Sequence, residues 1–320
     1  MVASTVAVGA DAGSAVPRGL ATRVVRAFRR NGAGYLFLTP WLIGFFGLTL
    51  GPTIASLVLS FTKYDLLEPP VWFGVENYHY AFFEDDQLRD AVGVTFTYVL
   101  WSVPGRLILA LALAMLLDRG IRGAGFFRAV FYLPSLLGGS VAIAVLWRQI
   151  FGDQGLINHG LALFGISGPS WITHPSYALW TLVALAVWQF GSPMIIFLAG
   201  LRQIPTDLYE AAAMDGAGKF RQFFKITLPL LTPVIFFNLI LQSIDAFKAF
   251  TPAFIISSGR GGPIDSTLFY TLYLYQQAFG YFRMGYAAAL AWLLLAIIAA
   301  FTAVAFLTSR RWVYYQDEAR

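Results

Sequence analysis

The sequence predicts an all-α, polytopic membrane protein with about six transmembrane helices. Three observations predict it. Of the 320 residues, 58% are hydrophobic and only 12% are charged, with a mean hydropathy of +0.66. An average soluble domain carries roughly 25% charged residues. The apolar residues also come in unbroken blocks, long enough for the roughly 20 residues a helical crossing needs. Lys and Arg gather in alternate connections, following the positive-inside bias. A water-soluble globule could not cover so much apolar surface. Strands of a porin-type barrel would alternate apolar with polar residues.

Residues 1–33 read as a tail, 34–308 as the membrane domain and 309–320 as a second tail. Residues 1–17 are small and weakly apolar, and they lack the ordered parts of a secretory signal. Residues 20–31 mix Leu20, Val24, Val25 and Phe28 with four arginines, which suits a short helix on the inner membrane face. The predicted spans are 34–61, 92–117, 127–150, 176–201, 230–256 and 285–308. The fifth is the least apolar, because it carries Asn238, Gln242, Asp245 and Lys248. It is expected to face protein or water rather than lipid.

Basic residues set the orientation. Arg18, Arg23, Arg26, Arg29 and Arg30 precede the first span. Arg119, Arg122 and Arg128 follow the second. Arg202, Lys219, Arg221 and Lys225 follow the fourth, and Arg310, Arg311 and Arg320 follow the sixth. Six spans place all of them on one side, so both termini are expected in the cytoplasm. This accounts for the net charge of +5 without nucleic acid. The acidic run Glu84, Asp85, Asp86 and Asp90 falls on the other side and reads as a solvated face. The absence of cysteine excludes thiolate chemistry. His79, His159 and His174 fall in outer loops without metal-ligand spacing, so no metal site is expected.

The connection 202–229 carries most of the signal. Pro205 blocks continuation of the fourth span. Asp207 in a cap position, with Glu210 three residues on, resembles a capping box. Residues 208–214 are strong helix formers, and Gly216 and Gly218 allow a turn. Phe220, Phe223, Phe224 and Ile226 fall on neighbouring turns of a second helical stretch, which Pro229 is expected to end. A helix–turn–helix with exposed apolar and charged groups suits docking into a partner's groove.

These residues carry a resemblance. Glu210-Ala211-Ala212, Asp215-Gly216-Ala217, and then Phe223, Ile226, Leu228 and Pro229 resemble the EAA signature of membrane subunits of bacterial ATP-binding-cassette importers. The form is similar to the carbohydrate branch, the maltose-permease-like subunits. Phe73-Gly74-Val75-Glu76-Asn77-Tyr78, Leu146-Trp147-Arg148, Gly155-Leu156-Ile157-Asn158 and Gly261-Gly262-Pro263 extend the resemblance over residues 35–308. Val94 before Thr95, and Arg260 inside the glycine-rich turn, depart from the family pattern.

The resemblance implies a permease subunit with alternating access in the bacterial cytoplasmic membrane. The loop 202–229 would hold the coupling helices, seated in a cleft of an ATPase. Glu210 would lie beside a basic group there, Gly216 would make the turn, and Ala211, Ala212 and Ala217 would permit close approach. The chain has no GxxxxGK[ST] phosphate loop. ATP and Mg are therefore expected on a separate ATPase dimer, with no cofactor in this chain. A solute-binding protein and a second, homologous permease subunit are the other implied partners, a C2 homodimer being the lesser option.

A sugar pocket needs aromatic faces and hydrogen-bonding groups. The fourth span offers Trp188, Gln189 and Ser192, and the fifth offers Gln242 and Asp245 on one stripe with Asn238. These five are the candidate substrate residues, because the resemblance places substrate contacts on these two spans. Inter-helix bonding to the other membrane subunit is the competing role. Arg106, inside the second span, is expected to pair with Asp245. Asp245 has Lys248 as an alternative partner. Glycerol phosphate and polyol importers share the motifs, and Arg106 and Lys248 would suit a phosphate. An ion-coupled secondary transporter would need intramembrane carboxylates or histidines and internal repeats, and Asp245 is the only obvious acid. A membrane enzyme lacks a nucleophile–base set.

Overall fold

The computed structural model describes residues 32–120 and 122–314. The tail 1–17, the basic segment 20–31 and Arg320 lie outside the described residues. The chain divides into two compact units, one ending at Ser56 and one running from Leu57.

The first unit holds α1 (Gly32–Gly44), a π-helical turn (Phe45–Leu50) and the start of α2 (Gly51–Leu59). The π turn has a cause in the sequence. Pro52 has no N–H, and its ring would collide with the carbonyl one turn earlier. Widening the turn, with the Gly51 N–H on the Phe46 carbonyl, makes room for it.

The second unit opens with a short antiparallel pair, β1 (Thr62–Lys63) and β2 (Val71–Trp72), with Thr62 opposite Trp72. Helices α3 (Glu76–Phe83), α4 (Asp86–Asp118), α5 (Ala124–Leu137), α6 (Val141–Ile150), α7 (Leu156–Ala162), α8 (Pro175–Trp188) and α9 (Gly191–Leu201) follow. Then come α10 (Thr206–Met214), α11 (Lys219–Gln222), a π turn (Phe223–Thr227) and α12 (Leu228–Phe247). The chain closes with α13 (Thr251–Ile256), α14 (Tyr270–Tyr275), a third π turn (Gln276–Gly280) and α15 (Met284–Ser309). Helix α4 is the hub, with α8, α9 and α12 packed on it. Ala91, Ala110 and Ala114 are fully buried along α4, and small side chains let helices approach closely.

Among the described residues, four helical segments are long and apolar enough to cross a membrane: Leu36–Leu59, Asp86–Asp118, Lys219–Ile256 and Met284–Ser309. Two bent pairs bring the total to six if each pair is one span. The third expected span, 127–150, is bent rather than straight, with α5 and α6 meeting at 98°. Gly138 and Gly139 offer no side chain to hold the helix. Ser140 adopts an extended ψ of 151° and caps α6, accepting from the Ile143 N–H at 3.3 Å. A serine cap starts a new helix rather than continuing the old one.

The acidic run is corrected. Glu84, Asp86 and Asp90 are exposed, but Asp85 is buried. Its Oδ1 caps α4 by accepting from the Leu88 N–H at 2.9 Å. Its Oδ2 accepts from the Tyr273 hydroxyl at 2.5 Å and from the Tyr286 hydroxyl. Burial, then the hydrogen bond and charge of Asp85, push the Tyr273 phenol above its ordinary range. Nearby, Asn77 Nδ2 donates to the carbonyls of Ser60 and Thr62, both at 2.9 Å, and fixes the β pair to α3.

Candidate functional site

The loop between α9 and α12 has two well-formed parts. Helix α10 begins directly after Pro205, whose ψ of 133° already places that residue outside the helix. No side chain caps α10, so the expected Asp207–Glu210 capping box does not form. Asp207 lies inside the first turn instead, where its charge meets the helix dipole. Gly216 ends α10 in the left-handed region, at φ +75°. The Gly216 N–H donates to Ala213 O at 3.0 Å and the Ala217 N–H to Ala212 O at 2.9 Å. That pair of bonds is a Schellman motif, and glycine carries its left-handed residue without a Cβ penalty. Gln222 Nε2 returns to the Ala217 carbonyl at 3.0 Å and locks α11 onto the turn.

Pro229 does not end the second stretch, contrary to the sequence expectation. The π turn Phe223–Thr227 carries the helix past it, with the Leu228 N–H on the Phe223 carbonyl. This is the device seen at Pro52, again with one residue between the π turn and the proline. Residues 219–247 therefore form one helical run without a break, inside the 38-residue apolar segment Lys219–Ile256. The Tyr209 hydroxyl and Thr227 Oγ1 lie 2.9 Å apart and tie α10 to the base of that segment. Glu210, Ala211, Asp215 and Gly216 are exposed, and Ala212 and Ala217 are half-buried. Met214 and Phe220 are 89% and 79% exposed, which leaves a large apolar surface around the turn.

The second group lies where the fourth span breaks. Helices α8 and α9 meet at 42°, between Trp188 and Gly191. Trp188 packs on Trp147 at 5.9 Å between ring centroids, and Trp147 Nε1 donates to Thr181 O at 3.0 Å. The Gln189 side chain fills the corner at Gly138, where a Cβ would come within 2.2 Å of it. Its Nε2 donates to Leu185 O at 3.3 Å. Trp188, Gln189 and Ser192 are all half-buried and grouped at the break. Gln242 is buried, and Asp245 is exposed on α12.

The expected Arg106–Asp245 pair is not formed. Arg106 Nε donates to Ala186 O at 2.6 Å, and its Nη1 donates to Gln242 Oε1. Asp245 faces Lys248 at 3.7 Å instead. The reason is local: α8 ends two residues after Ala186, whose carbonyl accepts the Gln189 N–H at 3.2 Å in the closing turn and, at the negative end of the helix, also attracts a cation. Sequence reading found Arg106 but assigned it an acid, when a neutral amide and a backbone carbonyl hold it. It missed Ser135 on α5, whose Oγ donates to Gln189 O at 2.9 Å. The available signal was Pro193, which removes the N–H that Gln189 O would otherwise accept.

Residues 85–314 match a family model described as binding-protein-dependent transport system inner membrane component. Over 295 residues the chain is 52% identical to the probable ABC transporter permease protein YesP of Bacillus subtilis, covering 92% of this chain and 96% of that protein. It is 31% identical over 287 residues to a probable starch degradation products transport system permease protein, AmyD, of Thermoanaerobacterium thermosulfurigenes, covering 89% and 97%. Among solved structures, a chain of a bacterial alginate ABC transporter, in complex with its alginate pentasaccharide-bound periplasmic protein, matches with a TM-score of 0.75. That match covers 90% of this chain and 98% of the other at 21% identity, and it shows the fold. A chain that fits the family model from the cap of its first long core helix to the end of its last helix belongs to the binding-protein-dependent transport system inner membrane components.

Proposed function

We propose that this chain is a permease subunit of an ATP-binding-cassette importer, moving a carbohydrate across the bacterial cytoplasmic membrane by alternating access. The carrying observation is mechanical. A loop with an exposed apolar surface at Met214 and Phe220 runs, without a helix break, into the segment that holds Gln242. A partner that grips the loop therefore pulls directly on a membrane helix packed on α4. The partner is an ATPase dimer, which supplies ATP and Mg, and Glu210 meets a basic group on it. A second homologous permease and an extracytoplasmic solute-binding protein complete the assembly. Both termini and the loop 202–229 lie in the cytoplasm, on the side of the basic connections.

The carbohydrate reading is supported by AmyD, named for starch degradation products, and by the alginate importer. The broken span adds to it, with an indole, an amide and a hydroxyl at Trp188, Gln189 and Ser192. Aromatic faces with a few placed polar groups are the chemistry of a sugar pocket. Asp245 and Lys248 stand exposed on the same α12 segment, open to the solute or to the second permease.

The test is uptake by the complete importer in proteoliposomes, using the sugar held by its binding protein. Uptake that needs internal ATP and survives collapse of ion gradients is the expected result. Uptake that follows the ion gradient and ignores ATP overturns the proposal.

A further inference from the structure

Ser135 on α5 makes two hydrogen bonds to the fourth span, both to backbone. Its Oγ donates to Gln189 O at 2.9 Å. The Ser192 N–H donates to the same Oγ, also at 2.9 Å. These are the groups that the break sets free. Pro193 has no N–H, so the Gln189 carbonyl loses its helical donor. Ser192 sits at the start of α9, where the first N–H groups have no helical acceptor. Inside a membrane such groups must find partners in neighbouring helices.

The surroundings are built for that contact. A Cβ on Gly191 would lie 2.4 Å from Phe131 O and 2.7 Å from Tyr132 Cα, so only glycine lets α9 come this close to α5. Ser135 directly follows Pro134, on the face that meets the break.

We infer that Ser135 is a positioning residue for transport. One hydroxyl, acting as donor and acceptor at once, closes the backbone gap opened by Pro193 and sets the angle of the broken span. It thereby aims Trp188, Gln189 and Ser192. The consequence for uptake rests on the reading that these three residues face the solute.

The test uses the complete importer in proteoliposomes and a double-mutant cycle between Ser135 and Pro193. In Pro193→Ala the new N–H at 193 can serve Gln189 O itself, which makes the Ser135 donor redundant. The chain has no cysteine, so a Trp188→Cys reporter can be labelled with maleimide and read on this subunit alone. Ser135→Ala is expected to raise the KM for uptake roughly threefold or more and to change the labelling rate at 188, and both effects shrink when Pro193→Ala is also present. Unchanged KM and labelling in a normally inserted Ser135→Ala protein would overturn the inference. So would effects of Ser135→Ala that are the same in both backgrounds. If Ser135→Ala alone fails to insert, insertion restored by Pro193→Ala supports the pairing, and failure in both backgrounds sinks it. Protection of the Trp188→Cys reporter by the sugar is scored separately. Its absence, with the Ser135–Pro193 coupling present, removes the solute reading and leaves the backbone role standing.

Discussion

Arg106 on α4 donates to Gln242 on α12, and the same guanidinium caps the end of α8 through the Ala186 carbonyl. One half-buried cation thus joins the hub helix, α12 and the broken span. Arg106→Ala leaves the Gln242 amide oxygen without this donor and the Ala186 carbonyl with the Gln189 N–H alone. Hydrogen bonds from a charged group contribute about 1.5–3 kcal/mol each. Arg106→Ala is therefore expected to lower the stability of the solubilised complex by about 3 kcal/mol or more. Gln242→Leu removes one bond and is expected to cost less. Thermal unfolding that ranks the two variants the other way would show that the Gln242 contact dominates.

Asp85 gathers three donors at the start of α4, one of them a backbone N–H. Asp85→Ala loses the cap, worth about 1 kcal/mol, and leaves two buried phenols unpaired. The expected destabilisation is about 3 kcal/mol, with Asp85→Asn less damaging because an oxygen remains for Leu88. The Tyr273 phenol is held above its ordinary value of about 10 by burial and by Asp85. A group with a raised folded-state pKa stabilises fully below its unfolded pKa and loses that contribution as pH rises beyond it. Stability should therefore fall above about pH 10, and Tyr273→Phe should flatten that fall. An identical alkaline limb in the variant would contradict the assignment.

What the sequence disclosed and what it hid divide by the range of the interaction. Spans such as 285–308 rest on composition alone, and α15 matches that range within a residue at each end. The Gly216 turn was legible because glycine, a helix before it and a polar residue ahead of it act locally. Asp85 looked like its neighbours Glu84 and Asp86, because its tyrosines lie about two hundred positions away. Ser135 was invisible for the same reason. Pro229 misled because a proline reads as a stop, whereas one wider turn lets a helix pass it.

Gly191 at the break of the fourth span and Gly138 at the α5–α6 corner both stand against that crossing but should respond differently to substitution. A Cβ at Gly191 meets the backbone of α5 at 2.4 Å, and backbone cannot step aside. The nearest atoms to a Cβ at Gly138 belong to the Gln189 side chain, at 2.2 Å, and a side chain can move. Gly191→Ala is expected to destabilise by about 1–3 kcal/mol or to block insertion. Gly138→Ala should insert normally while displacing Gln189, and should therefore raise the KM for uptake. Equal expression and equal KM in the two variants would mean that the helices separate freely at this crossing.

Gly216 offers the cleanest separation of coupling from folding. Its φ of +75° suits glycine, is tolerated by asparagine and strains a β-branched residue. The turn lies outside the buried core, and no neighbouring atom stands within 4 Å of a Cβ at this position. Gly216→Val therefore costs only backbone strain, about 1–2 kcal/mol confined to the loop. Insertion and thermal stability of the membrane helices should stay near wild type. The Schellman bonds at Ala212 and Ala213 should open, shifting Met214 and Phe220 relative to the continuous segment behind them. ATP-driven uptake is expected to fall at least about tenfold, a 1.4 kcal/mol effect. Gly216→Asn should retain most of the uptake. If valine transports as well as asparagine, the loop conformation does not govern coupling, and the mechanical link from Phe220 to Gln242 carries no force.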